Sequence, residues 1–283
     1  MRWLIYGHRG WIGSYFCKYL AEHHPTIQIL TPNSRADSVD GVIDDINSLE
    51  PDRVISFMGR TSGPGYNSID YLEQSGKLME NVRDNLFSPV LLMTICAQRD
   101  IHFTYLGTGC IFSYESPNDA PFTVESEPNF FGSSYSTVKG FTDRLSKLYP
   151  TTLNVRIRMP IVHYDCPRNF ISKIIRYPKI LNTLNSMTVL SDAIPVLINE
   201  VIEGTTGTVN LVNPGPTDHV SILELYKKWV DPNHTYTLID EKEHDSLLLS
   251  KRSKNVLVPS FDLPPTLDSI EKFFKSGKFV KQQ

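Results

Sequence analysis

The chain has 283 residues, of which 40% are hydrophobic and 21% are charged, an ordinary balance for a globular protein. This length is enough for one large α/β domain or for a domain with a smaller lobe. The formal net charge is 28 − 31 = −3, and no basic stretch carries interleaved aromatic residues, which argues against a nucleic-acid partner. The longest apolar run, around 89–97, is far below the roughly 20 residues that span a bilayer, so no membrane partner is expected.

Four cysteines occur, at Cys17, Cys96, Cys110 and Cys166. No two of them form a CxxC pair, and none lies at zinc-ligand spacing from a histidine. The apolar run that begins at Trp3 is too short for a signal peptide. The sequence therefore predicts reduced thiols, no metal site and a cytoplasmic protein.

A glycine-rich turn separates a predicted strand at 3–6 from a predicted helix at 11–20. Its residues are Gly7, Arg9, Gly10, Trp11, Ile12 and Gly13. In this position the backbone turns tightly, approaches a pyrophosphate, and presents the N–H groups of the helix N-terminus to the phosphates. The turn predicts a dinucleotide site, and a glycine-rich turn without a ligand is the alternative.

The end of the second predicted strand, at 27–30, indicates which dinucleotide binds. An NAD site usually has a carboxylate about 20 residues after the glycines, but residues 30–35 contain none. Ser34 and Arg35 are instead suited to a 2′-phosphate, and Arg9 could assist. The sequence therefore favours NADPH, with NADH possible, while a merely solvated Arg35 is the competing interpretation.

The following elements continue the alternation of strand and helix. Strands are predicted at 53–58, 102–106 and 154–158, and helices at 70–97 and 135–148. This alternation predicts a Rossmann-like, doubly wound parallel sheet with helices on both faces.

The alternation weakens after Met159, and the chain is expected to end in a smaller lobe. Helices are predicted at 169–177 and 221–230, and a strand at 208–212. We predict a nucleotide-binding domain over 1–157, to which late strands from about 188–212 return. The C-terminal lobe is predicted over 158–283.

Tyr135 and Lys139 are four residues apart, which places both on one face of the predicted helix. A tyrosine is a poor acid or base at neutral pH unless a nearby cation favours its anion, and Lys139 together with an oxidised nicotinamide would supply that charge. Tyr135 would then give a proton to a carbonyl oxygen, and Thr108 could hydrogen-bond the same oxygen. YxxxK is common in any helix, and the glycine-rich turn is what favours the catalytic interpretation.

Cys110 lies two positions after Thr108, so in an extended strand end both side chains point the same way. A thiol there would lie beside the substrate. From the residue alone, a small buried cysteine is the favoured interpretation.

A series of motifs runs in order through residues 3–275. They are GWIG (10–13), TGCIF (108–112), PNF (128–130), YSTVK (135–139), RIRMPI (156–161), PRNFI (167–171), NSMT (185–188), NPG (213–215) and RSKN (252–255). Together they resemble the extended short-chain dehydrogenase/reductases. The resemblance is closest to the bifunctional 3,5-epimerase/4-keto-reductases that complete UDP-L-rhamnose synthesis in plants and that giant DNA viruses also carry.

The resemblance implies an NADPH-dependent enzyme that epimerises C3 and C5 of UDP-4-keto-6-deoxy-glucose and then reduces C4. It assigns epimerisation to Cys110 and Lys173, with Lys179 as a nearby rival, and reduction to Thr108, Tyr135 and Lys139. The C-terminal lobe would bind the substrate. The implied sugar and nucleotide contacts are Arg60, Thr61, Asn67, Asp70, Asn169 and Arg252.

Two departures from the resembled pattern occur, the His8–Arg9 pair in the glycine turn and an extra stretch at 63–65. The alternatives are a 4-keto-reductase without epimerase activity and a non-catalytic NADP(H)-binding regulatory subunit. A separate UDP-glucose 4,6-dehydratase would supply the substrate, and a homodimer is possible. The nucleotide could be UDP or dTDP, and a viral protein would work in the host cytoplasm.

Overall fold

The computed structural model describes residues 1–116, 119–277 and 279. The strands, in chain order, are β1 (Arg2–Tyr6), β2 (Gln28–Leu30), β3 (Arg53–Ser56), β4 (His102–Thr108), β5 (Thr152–Ile157), β6 (Pro160–Ile161), β7 (Lys179–Leu181), β8 (Thr188–Val189), β9 (Gly207–Asn210) and β10 (Thr237–Ile239). The helices are α1 (Trp11–His23), α2 (Val39–Leu49), α3 (Leu78–Val82), α4 (Ser88–Gln98), α5 (Ser134–Ser146), α6 (Phe170–Ile174), α7 (Leu190–Glu203), α8 (His219–Trp229), α9 (Glu241–Ser246) and α10 (Thr266–Lys275). A 3₁₀ turn occupies Ile69–Glu73, and a π-helical segment, Arg83–Phe87, joins α3 to α4.

The main sheet has six parallel strands in the order β2-β1-β3-β4-β5-β9. The chain passes from β1 outward to β2 and then returns across β1 to β3. The strand order therefore reverses between β1 and β3, and ligands of such sheets bind in the crevice at the carboxyl ends of the strands there. The predicted Rossmann-like parallel sheet is confirmed.

Both faces of the sheet are covered, which explains why β1 reads as a continuous apolar run. Trp3 and Ile5 point into the core beneath α1 and α7, and Leu4 and Tyr6 point into the core beneath α2 and α4. All four side chains are at most 1% exposed. The alternation of side chains across the strand thus builds two cores from one short segment.

The C-terminal elements form a smaller assembly around a third core. β6 pairs with β8 and β7 pairs with β10, both in parallel, while α8 and α10 pack together. Ile174, Met187 and Tyr226 lie at the centre of this core. β9 lies at the edge of the main sheet beside β5, whereas β8 pairs outside it. The predicted division of the chain at residue 157 stays a prediction.

Neither a membrane-spanning helix nor a cluster of metal-ligating side chains occurs among the described residues. None of their helices is long and apolar enough to cross a membrane. Nor do they contain a group of three or more His, Cys, Asp or Glu side chains that could hold a metal ion.

Candidate active site

The glycine-rich turn lies directly after β1, at the point where the strand order reverses. Gly7 has a φ of +78°, and a Cβ there would lie 3.0 Å from the Phe57 carbonyl carbon after β3. A Cβ on Gly13 would lie 2.2 Å from the Gly7 carbonyl oxygen. The first turn of α1 carries no acidic residue, so no carboxylate there competes for its N–H groups. The turn is therefore a narrow cradle that fits the pyrophosphate of a nicotinamide dinucleotide.

The remaining residues of the turn lie around this cradle. Arg9 is exposed, and Ile12 packs against the core under α1. Trp11 donates from Nε1 to the Tyr164 hydroxyl over 3.3 Å. Because Tyr164 follows β6, this bond ties the cofactor turn to the C-terminal half of the chain.

Ser34 and Arg35, after β2, are held by two carboxylates. Ser34 Oγ donates over 2.5 Å to the buried Asp45 of α2. The Arg35 guanidinium forms a two-point pair with Asp37, at 2.8 and 3.0 Å, and remains 69% exposed. That hydrogen bond and charge lower the pKa of Asp37. Arg83 Nε lies 3.5 Å from the same carboxylate, so two arginines flank Asp37 beside the cofactor crevice.

Thr108, Cys110 and Tyr135 come together where β4 ends. Tyr135 lies in the first turn of α5 and is 6% exposed. Burial raises the pKa of Tyr135, the nearby Cys110 raises it further, and a hydrogen bond from Thr108 lowers it. Cys110 packs against the same small cluster as Tyr135. A thiol and a phenol therefore share one pocket.

Lys139 lies one helical turn after Tyr135, with 4% of its surface exposed. Its Nζ donates to the Tyr105 hydroxyl and, over 3.2 Å, to the Leu106 carbonyl of β4. Burial lowers the pKa of Lys139 to about 7, although Asp143 and Cys110 favour its charged form. The helix places Tyr135 and Lys139 on one face as predicted, but Nζ is directed at Tyr105.

Cys110 is a partly buried free thiol, and a cation lies against it. Arg158, in the connection from β5 to β6, donates from Nη1 to Cys110 Sγ over 3.4 Å. The backbone N–H of Cys110 donates to Thr108 Oγ1 over 3.1 Å. Sequence reasoning treated Arg158 only as part of a motif and gave it no place in the site.

Lys173 and Lys179 differ sharply in environment. Lys173, in α6, has no hydrogen-bond or ion-pair partner at Nζ among the described residues. Burial lowers the pKa of Lys173, and the like charges of Arg168 and Arg252 lower it further. Lys179, in β7, instead forms a 2.6 Å ion pair with Glu243, and its side chain is 46% exposed.

Arg252 and Asp70 form an ion pair between distant parts of the chain. Arg252 Nη2 lies 2.6 Å from Asp70 Oδ2. Burial alone would raise the pKa of Asp70, but the hydrogen bond and charge of Arg252 outweigh it and lower that pKa. The pair brings the 3₁₀ turn against the segment after α9. Arg252 also lines a cavity of about 860 Å³ together with Lys251 and Lys254.

The predicted sugar-facing loop follows β3. Arg60 Nε contacts Asp84 at 2.6 Å and Glu80 at 2.9 Å, so its charge is already matched. Thr61 and Asn67 are exposed. The extra stretch at 63–65 forms a tight turn closed by two backbone hydrogen bonds between Gly63 and Tyr66.

Asn169 has a structural position. It is fully buried and caps α6, accepting from the Ile171 N–H over 3.3 Å. Its side-chain amide donates to the carbonyls of Val162 and Tyr164 at 3.0 and 2.8 Å. These bonds use both the oxygen and the nitrogen of the side-chain amide. Both N–H donors of the side chain are therefore used within the protein, and the contact of Asn169 with the diphosphate or the uridine stays a prediction.

Several residues that shape the site were not predicted. Glu73 accepts from Ser134 N and Oγ, at 3.0 and 2.8 Å, and so fixes the start of α5 beside Tyr135. Asn255 Nδ2 donates to the carbonyls of Gly109 and Phe112, both at 2.9 Å. The RSKN motif thus holds the segment that carries Cys110, a contact that no local pattern reveals.

Comparison with known proteins identifies relatives over the full length. The L780 protein of Acanthamoeba polyphaga mimivirus is 47% identical over 289 residues, covering 99% of this chain and 99% of that protein. The crystal structure of the L780 UDP-rhamnose synthase has a TM-score of 0.93 to this chain at 46% identity, with 97% of this chain and 99% of that chain covered.

Two enzymes of Arabidopsis thaliana are also similar. A bifunctional dTDP-4-dehydrorhamnose 3,5-epimerase/dTDP-4-dehydrorhamnose reductase is 34% identical, covering 90% of this chain and 84% of that enzyme. A trifunctional UDP-glucose 4,6-dehydratase/UDP-4-keto-6-deoxy-D-glucose 3,5-epimerase/UDP-4-keto-L-rhamnose-reductase is 32% identical, covering 90% of this chain but 38% of that enzyme. The resemblance stated from the motifs is confirmed.

A family model also matches residues 3–164, more than half of the chain. The matched segment contains the glycine-rich turn, Thr108, Cys110, Tyr135 and Lys139. The chain belongs to the NAD dependent epimerase/dehydratase family.

Proposed function

We propose that this protein converts UDP-4-keto-6-deoxy-glucose to UDP-L-rhamnose by 3,5-epimerisation followed by reduction of the 4-keto group. The observation that carries the proposal is that Cys110 packs against Tyr135 at the end of β4. A reductase needs the tyrosine but has no use for an acid or base at Cys110. A thiol and a phenol in one pocket serve two proton transfers to one sugar.

Epimerisation requires a base on one face of the sugar ring and an acid on the other. The 4-keto group makes the hydrogens on C3 and C5 acidic, so removing one gives an enolate. Cys110 is suited to this exchange because an ordinary thiol titrates near neutral pH, at about 8.5. We assign the opposite face to Lys173, since burial and two neighbouring arginines lower its pKa. Lys179 is occupied by Glu243.

Reduction uses the residues at the ends of β4 and α5. Tyr135 donates a proton to the C4 oxygen, and Thr108 hydrogen-bonds that oxygen and orients it. Lys139 supports the anion that Tyr135 leaves. NADPH, held by the turn from Gly7 to Gly13, supplies the hydride when it is bound.

NADPH is proposed over NADH because of the cations after β2. Arg35 is exposed and Arg83 lies near it, and both cations are at the place where a 2′-phosphate would lie. The Ser34 hydroxyl still has lone pairs, although its proton is given to Asp45. Arg9, exposed in the glycine-rich turn, adds a further cation.

The nucleotide is proposed to occupy the cavity beside Arg252. Its volume of about 860 Å³ and its lining by Lys251, Arg252 and Lys254 suit a diphosphate, and Tyr114 and Phe130 supply aromatic surface for a base. Glu241 and Asp245 line it too, and Glu241 pairs with Lys254. UDP is proposed rather than dTDP because the similar mimiviral protein is a UDP-rhamnose synthase.

Two further proposals concern partners. Phe87 in the π-helical segment, Phe141 in α5 and Leu148 just after α5 expose 45, 49 and 74% of their surface, and we propose that these side chains contribute to a homodimer interface. Light scattering tests it, and a monomer would refute it. We also propose that a 4,6-dehydratase supplies the keto-sugar, because the similar trifunctional plant enzyme, of which this chain covers 38%, combines that activity with the epimerase and reductase. A cytoplasmic location stays a prediction.

The decisive experiment mixes the protein with UDP-4-keto-6-deoxy-glucose and NADPH in heavy water, followed by NMR of the sugar. UDP-rhamnose with deuterium at C3 and C5 supports the proposal. NADPH oxidation that yields an unlabelled, unepimerised 6-deoxy sugar leaves a reductase. Binding of NADPH without turnover indicates a regulatory subunit.

A further inference from the structure

Arg158 is a buried cation without an acidic partner. It is 1% exposed, and within the described ranges no Asp or Glu forms an ion pair with it. Its Nη2 donates to Asn185 Oδ1 at 2.5 Å and to the Ser253 carbonyl at 2.7 Å. These partners are neutral. A buried charge normally has a counter-ion, because removing it from water costs several kcal/mol.

A second donor group of Arg158, Nη1, is directed at the active site. Nη1 lies 3.2 Å from Ser253 Oγ, 3.4 Å from the Gly109 carbonyl and 3.4 Å from Cys110 Sγ. Cys110 is the only one of these partners that can become an anion. We propose that Arg158 is the counter-ion of the Cys110 thiolate, so that it acts through Cys110 as a positioning residue for epimerisation.

The surroundings of Arg158 are built to fix that geometry. Ser253 Oγ accepts hydrogen bonds from Arg158 Nη1 and from Asn255 Nδ2, and it donates one to the Phe112 carbonyl over 2.6 Å. The residue after Arg158, Met159, has a φ of +40°, a left-handed conformation that is unfavourable for a residue with a side chain. The backbone is therefore held in an unfavourable conformation beside the cation.

Other titratable groups also lie near the Cys110 thiol and near Arg158. From α5, Tyr135 and Lys139 interact electrostatically with Cys110. Arg158 in turn interacts with Tyr114 and, more weakly, with His219. Burial lowers the pKa of Arg158. Cys110 and, to a smaller extent, Tyr114 act in the opposite direction and raise it.

The proton balance of the step follows directly. The thiolate removes the hydrogen from the carbon beside the 4-keto group, giving the thiol and an enolate. Protonated Lys173 then gives a proton to the opposite face, leaving a neutral amine and the inverted carbon. Arg158 stays protonated throughout, and it favours the anionic state in which Cys110 begins. This sequence rests on the proposed epimerase function, whereas the interaction of Arg158 with the thiolate does not.

The test measures alkylation of Cys110 by iodoacetamide as a function of pH, with mass spectrometry of the Cys110 peptide and without any sugar. The unaltered protein supplies the reference midpoint. Arg158→Gln should move that midpoint up by about 1–3 pH units. Cys166, in the same protein, serves as the internal control and should keep its midpoint.

A second variant is needed in case Arg158→Gln does not fold. Asn185→Asp is nearly isosteric and places a carboxylate where Arg158 Nη2 now meets an amide oxygen. The new carboxylate offsets the charge of Arg158 without removing the guanidinium. The midpoint of Cys110 alkylation should therefore again rise, while the midpoint of Cys166 alkylation stays the same. An unchanged Cys110 midpoint in a folded Arg158→Gln protein, or in Asn185→Asp if the first does not fold, would overturn the inference.

The catalytic consequence separates this role from a purely structural one. At pH 7, deuterium exchange at C3 and C5 should fall about tenfold for each unit by which the midpoint rises, and it should recover at higher pH. Reduction of the already epimerised keto-sugar should fall less. Equal, pH-independent loss of both would contradict the inference. A shifted alkylation midpoint in a protein that never makes rhamnose would refute only the proposed function.

Discussion

Arg156 and Arg158 are two residues apart and equally buried, but within the part of the chain that the structure describes only Arg156 has an acidic counter-ion. Arg156 makes a two-point pair with Asp143, at 2.8 and 2.7 Å, and donates to backbone carbonyls of the 123–126 segment. Arg158 is held by neutral groups and faces a thiol. Burial alone therefore does not distinguish Arg156, which has a structural role, from Arg158, which faces the active-site thiol. The counter-ion is what distinguishes them.

The largest expected effect on folding lies on the structural side of this comparison. Asp143→Asn leaves Arg156 buried without a counter-ion and should lower the free energy of unfolding by about 3–5 kcal/mol, measured by urea denaturation. Cys110→Ala removes no fixed charge beside Arg158 and should cost about 1 kcal/mol or less. Equal losses in the two variants would show that the arginines play similar roles.

On the reactive side, the largest effect concerns Tyr135. Tyr135→Phe removes the proton donor and should lower the rate of C4 reduction by about 10²–10⁴-fold. Deuterium exchange at C3 and C5, followed by NMR, should continue because Cys110 and Lys173 remain. The matched control is Tyr149→Phe, because it also removes a tyrosine hydroxyl, but one that hydrogen-bonds Thr94. Parallel loss of reduction and exchange would contradict the proposed division of roles.

Lys173 and Lys179 offer a similar contrast within one lobe. Lys173→Arg keeps the positive charge, but a guanidinium does not release its proton, so exchange at C3 and C5 should fall about 10²-fold. Lys179→Arg can keep the ion pair with Glu243 and should change the exchange rate by less than about twofold. The reverse pattern would assign the role to Lys179.

Lys139 should make stability depend on pH. Its folded pKa of about 7 lies below the unfolded value of about 10.4, so between these values the unfolded chain binds more protons. Stability should therefore rise with pH across this window, by at most about 1.4 kcal/mol per pH unit, relative to Lys139→Met. Thermal unfolding of both proteins from pH 7 to 10 measures the difference. Parallel curves would contradict the lowered pKa.

The smallest expected effect is at the exposed Arg35. Arg35→Ala should reduce the preference for NADPH over NADH by about two- to fivefold, because an exposed, solvent-screened cation contributes roughly 0.5–1 kcal/mol. Fluorescence titration with both dinucleotides measures it, and Lys18→Ala, on the outer face of α1, is the control. An unaltered preference would shift the 2′-phosphate site to Arg83.

Local pattern was sufficient to predict much of the fold. The apolar run of β1 and the helical spacing after Gly10 depend only on near neighbours, and both appear where predicted. Helix α2 was not predicted although its signal is present. Ser38 caps it, accepting from the Gly41 N–H, and Val42 and Ile46 recur at helical spacing.

The candidate site was only partly predictable for the same physical reason. The sequence by itself determined which residues can do the chemistry, because the type and spacing of Thr108, Cys110, Tyr135 and Lys139 are local facts. Only the tertiary structure decided that Lys139 meets Tyr105 and that Arg158 meets Cys110. These partners lie 34 and 48 positions apart, and side chains so distant in sequence meet only once the sheet and both cores have formed.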